Sequence, residues 1–118
     1  MGKCVLIVDD HEVVRRSLRT LFEDNRFNVF EASNGAEAIQ QAQQVHPDLV
    51  VLDMIMPVMN GLDAARELKH LTPGTPLLLF TNLIGPVMEE EARSAGISAV
   101  VSKSESAERL LDKADALV

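Results

Sequence analysis

Apolar and polar positions along this chain switch repeatedly between two patterns. Residues 3–8 read as a buried strand, apolar from Cys4 to Val8, and Val14, Leu18, Leu21 and Phe22 then recur at helical spacing. Residues 27–32 form a second short strand. Asn34 with Glu37 three positions on reads as a helix start, and Ile39, Ala42 and Val45 carry its apolar stripe. His46-Pro47 breaks that helix, and residues 48–52 are a run of the kind that parallel sheets bury on both faces. A loop with Pro57, Asn60 and Gly61 leads into a helix whose inner face is Leu62, Ala65 and Leu68. Pro73, Gly74 and Pro76 end it. Residues 77–81 make a fourth strand, and Gly85-Pro86 opens a helix with Met88, Ala92 and Ala95 inside and Gly96 at its stop. Residues 97–102 make a fifth strand. Ser106 caps a last helix facing inward through Leu110, Leu111, Ala114, Leu117 and Val118. Five strand-helix repeats with short connections predict an α/β fold, a parallel sheet covered on both sides by helices.

With 118 residues, 47% of them hydrophobic, the chain is expected to form one domain over residues 1–118. No apolar run approaches the roughly 20 residues that span a bilayer, and the start shows no leader pattern, so no membrane and a cytoplasmic location are expected. A net charge of −7 argues against direct nucleic-acid binding and favours a protein partner. The single cysteine, Cys4, lies in an apolar run and reads as a small packed residue without chemistry.

Ligands of open parallel sheets bind beyond the carboxyl ends of the strands, so the strand ends carry the candidate chemistry. The first ends at Asp9-Asp10, the third at Asp53, the fourth at Thr81 and the fifth at Lys103. Any one of these has a structural explanation as a cap, a strand former or a solvated lysine. Their shared rim points to a site. Two carboxylates about 4 Å apart repel by about 4 kcal/mol at an effective dielectric of ~20, so three together require a cation. Oxygen donors favour a hard ion, for which Mg²⁺ is the usual choice in phosphoryl chemistry. His11, His46 and His70 lack metal-ligand spacing and read as solvated.

These residues resemble the receiver domain of two-component response regulators, and the resemblance covers the whole chain. It is carried by Val8-Asp9-Asp10-His11, by the stretch from Asp53 through Pro57 and Gly61 to Asp63, and by Thr81 and Lys103. The resemblance implies a flavodoxin-like, doubly wound (βα)5 sheet in the order 2-1-3-4-5. It implies Asp53 as phosphoacceptor, Mg²⁺ held by Asp10, Asp53 and the Met54 carbonyl with Asp9 acting largely through water, and supporting roles for Thr81 and Lys103. A histidine kinase or histidine phosphotransfer protein would be the donor, an output domain or downstream protein the receiver of the signal, and phosphorylation could drive homodimerisation. Such a domain is a signalling module that catalyses only its own phosphorylation and dephosphorylation.

Some positions depart from the family pattern. Val100 stands where many members have Tyr or Phe, Ser104 where Pro commonly follows the lysine, and Asn82 where a small residue follows the hydroxyl. Ile55 and Leu83, both apolar, occupy positions that tune dephosphorylation in the family, and neither is expected to assist a water attack. Methionines 54, 56, 59 and 88 read first as gap fillers, and Glu89-Glu90-Glu91 as a solvated helix face that in the family also borders the output surface. Two other classes compete: an aspartyl-phosphate phosphatase, and a module of the same fold that is not phosphorylated or that binds a flavin. Ile55 in place of a second acid weighs against the first. The intact acids and the scarcity of aromatic residues weigh against the second.

Overall fold

The computed structural model describes residues 2–82 and 85–118. The chain runs β1 (Cys4–Val8), α1 (Glu12–Asp24), β2 (Asn28–Ala32), α2 (Gly35–Val45), β3 (Leu49–Leu52), α3 (Gly61–Leu71), β4 (Leu77–Thr81), α4 (Pro86–Ser94), β5 (Ala99–Ser102) and α5 (Ala107–Leu117). All strand pairs are parallel, and the sheet order is β2-β1-β3-β4-β5. The expected doubly wound (βα)5 architecture is therefore observed, including its reversal of order between β1 and β3.

Alternation along the strands divides the apolar side chains between two cores. Val5, Ile7, Leu49, Val51, Leu78 and Val101 pack with Leu18 and Phe22 of α1 and Leu110 and Ala114 of α5. Leu6, Val8, Val50, Leu52, Leu77 and Leu79 pack against α2, α3 and α4 on the opposite face. Burying both faces is what makes these strands apolar throughout rather than alternating with polar residues. Phe22 closes the first core with an edge-on contact to Phe27, their ring centroids 5.0 Å apart.

The helix ends follow from local chemistry. Asn34, Asn60 and Ser106 each accept a hydrogen bond from the backbone three residues on. Glu37 reaches back to the N–H of Ser33, one position before the cap residue. Gly96, at φ +94, ends α4 in a Schellman arrangement: its N–H donates to Arg93 and that of Ile97 to Ala92. A side chain at Gly96 would also strike Lys69, whose Cγ lies 2.3 Å from the Cβ position.

Boundaries differ from expectation where an apolar run outlasts the ladder. Phe27 and Ile97 are buried but precede β2 and β5, serving the cores rather than the sheet. Val118 was expected on the inner face of the last helix; it lies beyond α5 and is 40% exposed. Met56 is buried, while Met54, Met59 and Met88 pack half-buried against the α2-α3-α4 core, as gap fillers would. No helix among the described residues is long and apolar enough to cross a membrane.

Candidate functional site

Strand phase brings the charged residues together. β1 and β3 pair with Ile7 opposite Val51 and Val8 opposite Leu52, so Asp9 and Asp53 are the next matched pair along the two strands. Asp9 continues the phase of Val5 and Ile7, and Asp53 that of Leu49 and Val51. Lys103 continues the phase of Val101 on β5. Thr81 ends β4 in the other phase, opposite Ser102 and buried at 1% exposure. The backbone holds these ends in register, with Asp53 N–H donating to Val8, Asp9 N–H to Ala32 and Lys103 N–H to Thr81.

Lys103 Nζ donates to Asp53 Oδ2 at 2.9 Å and to Asp9 Oδ2 at 3.0 Å. The carboxylates are 5% and 2% exposed as residues, so one ammonium is clamped between two buried acids. Burial alone would lower the Lys103 pKa, but its hydrogen bonds to Asp53 and Asp9 outweigh it and raise the net value, keeping the ammonium charged. Ser104, in place of the proline common in the family, does not displace this lysine: the bond is trans and Nζ reaches both carboxylates.

The loop after β3 depends on two unusual backbone positions. Gly61 donates its N–H to the Met54 carbonyl at 2.7 Å, and a Cβ there would lie 2.2 Å from the Asp53 carbonyl oxygen. Only glycine lets the start of α3 approach the strand end so closely. Met54 N–H donates to Asp53 Oδ1 at 2.7 Å, fixing the carboxylate from the other side. Val58 has φ +71 at the centre of a γ-turn closed by Met59 N–H donating to the Pro57 carbonyl at 2.7 Å, a positive-φ conformation that a β-branched residue rarely adopts.

Two contributors escaped the sequence reading. His11 is solvated as expected, its side chain 65% exposed, yet its Nδ1 lies 3.2 Å from both Asp9 Oδ1 and Asp10 Oδ1. Its place directly after the acid pair, where Asp9 Oδ1 accepts the His11 N–H at 2.9 Å, was the available signal. Arg15 donates through Nη1 to the Asp9 carbonyl at 2.8 Å and through Nε to Glu31 at 3.1 Å. It ties α1 and β2 to the turn that carries the acids. Asn82 is exposed, and Ile55 is 62% exposed beside the site; Leu83, the other expected tuning position, lies outside the described residues.

One ligand atom from each of Asp9, Asp10, His11 and Asp53 lies within 4.8 Å of the others, a cluster that could hold a metal ion. Three carboxylates against one ammonium leave two formal negative charges, which a divalent cation balances. The Met54 carbonyl, engaged with Gly61, has a second lone pair to offer such an ion. The donors present therefore fit a hard divalent ion.

Known proteins share this fold. The chain is 34% identical over 103 residues to the chemotaxis protein CheY of Halobacterium salinarum, covering 87% of this chain and 86% of that protein. It is 35% identical over 116 residues to the transcriptional regulatory protein YdfI of Bacillus subtilis, covering 97% of this chain but 54% of YdfI, so it spans about half the length of that relative. The structure of Vibrio cholerae chemotaxis protein CheY4 superposes with a TM-score of 0.95 at 27% identity over the whole of both chains. The model of the response regulator receiver domain matches residues 5–115. With this match over most of its length, the chain belongs to a described family, the receiver domains of two-component response regulators.

Proposed function

We propose that residues 1–118 act as one cytoplasmic phosphoacceptor domain, in which Asp53 takes a phosphoryl group from a phosphohistidine in a magnesium-dependent transfer. The observation that carries this reading is the Lys103 ammonium bridging Asp53 and Asp9 at 2.9 and 3.0 Å, at the edge where strand phase aligns all three. The histidine would belong to a histidine kinase or a histidine phosphotransfer protein.

In this reading an Asp53 carboxylate oxygen forms a bond to phosphorus as the P–N bond to the donor imidazole breaks in line, the electron pair leaving on that nitrogen. Asp10, Asp53 and the Met54 carbonyl would hold Mg²⁺ directly, with Asp9 largely through water. When bound, Mg²⁺ supplies charge neutralisation and orientation for the transferring oxygens. Lys103 offers its ammonium to the same oxygens once Asp53 carries the phosphoryl group, and Met54 N–H holds the Asp53 carboxylate in place. Thr81, buried at the end of β4, can then donate its hydroxyl to the phosphoryl group.

Contacts of Thr81 and Lys103 to a charged phosphoryl group would each contribute about 1.5–3 kcal/mol. Inverting a two-state equilibrium from 1:99 to 99:1 takes about 5.5 kcal/mol, so the pair supplies much of a conformational switch. Val100 is half-buried and aliphatic, so the switch proceeds without an aromatic side chain at that position. The output passes to an attached domain, a downstream protein or a second copy of the phosphorylated chain. Exposed Ile55 stands where aspartyl-phosphate phosphatases carry a second acid, so that position offers no general acid for turnover on phosphomonoesters.

Incubation with Mg²⁺ and a small acyl-phosphate donor tests the reading by intact-protein mass. The wild type is expected to gain one phosphoryl group and Asp53→Asn none. An equal gain in Asp53→Asn would overturn the assignment.

A further inference from the structure

We propose that the His11 imidazole is a nitrogen donor to the cation site of Asp9, Asp10 and Asp53, giving that site a preference for imidazole-binding transition ions that carboxylates alone would not provide. The inference rests on the metal-dependent reading above and concerns which divalent ions the site accepts.

His11 is the residue that caps α1, and its own N–H is tied to Asp9 Oδ1 at 2.9 Å. That short turn brings the ring back over the acids, with Nδ1 3.2 Å from a carboxylate oxygen of each of Asp9 and Asp10. Donors that share an ion at bond lengths of about 2.1 Å lie at most about 4.2 Å apart. The four ligand atoms here lie within 4.8 Å of one another, so contraction by a few tenths of an ångström closes the set. With Nδ1 bonded to an ion the ring proton resides on Nε2, and a side chain 65% exposed gives that N–H access to water.

Mg²⁺ prefers oxygen and gains little when a nitrogen replaces one of its waters. Later first-row ions such as Co²⁺ gain substantially from imidazole, in the order of the divalent affinity series. Among the described residues His11 is the histidine that joins the acid cluster. His46 ends α2 and His70 lies in the last turn of α3, so their effects can be separated from those of His11.

Isothermal titration of the full chain with Mg²⁺ and with Co²⁺ reads the preference directly, comparing wild type with His11→Gln and Asp53→Asn. His11→Gln is expected to weaken Co²⁺ binding about tenfold while leaving Mg²⁺ binding within about twofold. Asp53→Asn is expected to weaken both ions, which separates this site from His46 and His70. Co²⁺ affinity that falls no further than Mg²⁺ affinity in His11→Gln, or Co²⁺ affinity unchanged in Asp53→Asn, would overturn the role of His11. A wild type that binds no Mg²⁺ at all would instead bring down the metal-dependent reading, and this inference with it.

Discussion

Lys103 and Val58 show two ways in which single residues shape the site. Lys103 was visible in the sequence as the residue ending the fifth strand, and its phase with Val101 is what aims it at Asp9 and Asp53. Val58 carries no such signal, because a valine in a loop announces neither its φ of +71 nor its 82% exposure. Its side chain contributes little burial while its backbone sits in a region that costs about 1–3 kcal/mol for a non-glycine residue. Val58→Gly is therefore expected to stabilise the fold by about 1 kcal/mol, net of the extra freedom glycine has when unfolded, as read from the urea midpoint. A lower midpoint would show that the valine side chain stabilises the loop more than its backbone strains it. His11 is solvated as its sequence context suggests, but spacing along the chain does not report the turn that folds its ring back toward Asp9 and Asp10.

At the scale of elements, helices and strands were legible because each is written in the burial it must satisfy. Leu18 and Phe22, Ala42, Leu62 and Leu68, Ala92, and Leu110 and Ala114 fall on the inner faces that periodicity assigned to them. The caps at Asn34, Asn60 and Ser106 were equally readable. What periodicity could not report were ion pairs between elements. Arg15 and Arg19 of α1 both donate to Glu31 of β2, and Arg15 also holds the Asp9 carbonyl, so the acid turn is braced from the side by a pair of elements. Burial alone would raise the Glu31 pKa, but hydrogen bonds from Arg19 and then Arg15 more than offset it and leave it below 4.5. A carboxylate whose folded pKa is lowered stabilises the protein above its unfolded pKa and loses that contribution as pH falls through the folded value. The stability difference between wild type and Glu31→Gln should thus be present at neutral pH and fade in acid as pH falls through the lowered folded pKa of Glu31. A difference that persists unchanged there, in chemical denaturation across pH, would mean the pairing does not depend on the Glu31 charge.

The whole molecule places its apolar mass on both faces of the sheet and leaves its charge chemistry at one edge. Each core is anchored by different helices, α1 and α5 on one side and α2, α3 and α4 on the other, so the edge between them is supported from two directions. The same edge carries acids bridged by Lys103. Any ion that binds the folded arrangement and not the unfolded chain raises stability, by about 2.7 kcal/mol at a hundred times its dissociation constant. Mg²⁺ should therefore raise the thermal midpoint of the wild type and have a much smaller effect on Asp53→Asn. Equal shifts in the two proteins would place the ion elsewhere. Fold and site were jointly legible because one sheet topology explains both the apolar runs and the residues that terminate them. The reach of Lys103 to two carboxylates at once required coordinates.

The central claim is that Asp53 itself becomes the phosphorylated residue, and reductive trapping reads that atom by atom. Borohydride converts an aspartyl phosphate to homoserine, which peptide mass analysis locates. After treatment with Mg²⁺ and a small acyl phosphate, homoserine is expected at position 53, and removal of Mg²⁺ with a chelator should abolish it. Homoserine at another acidic residue, or an undiminished yield with the chelator present, would contradict the account.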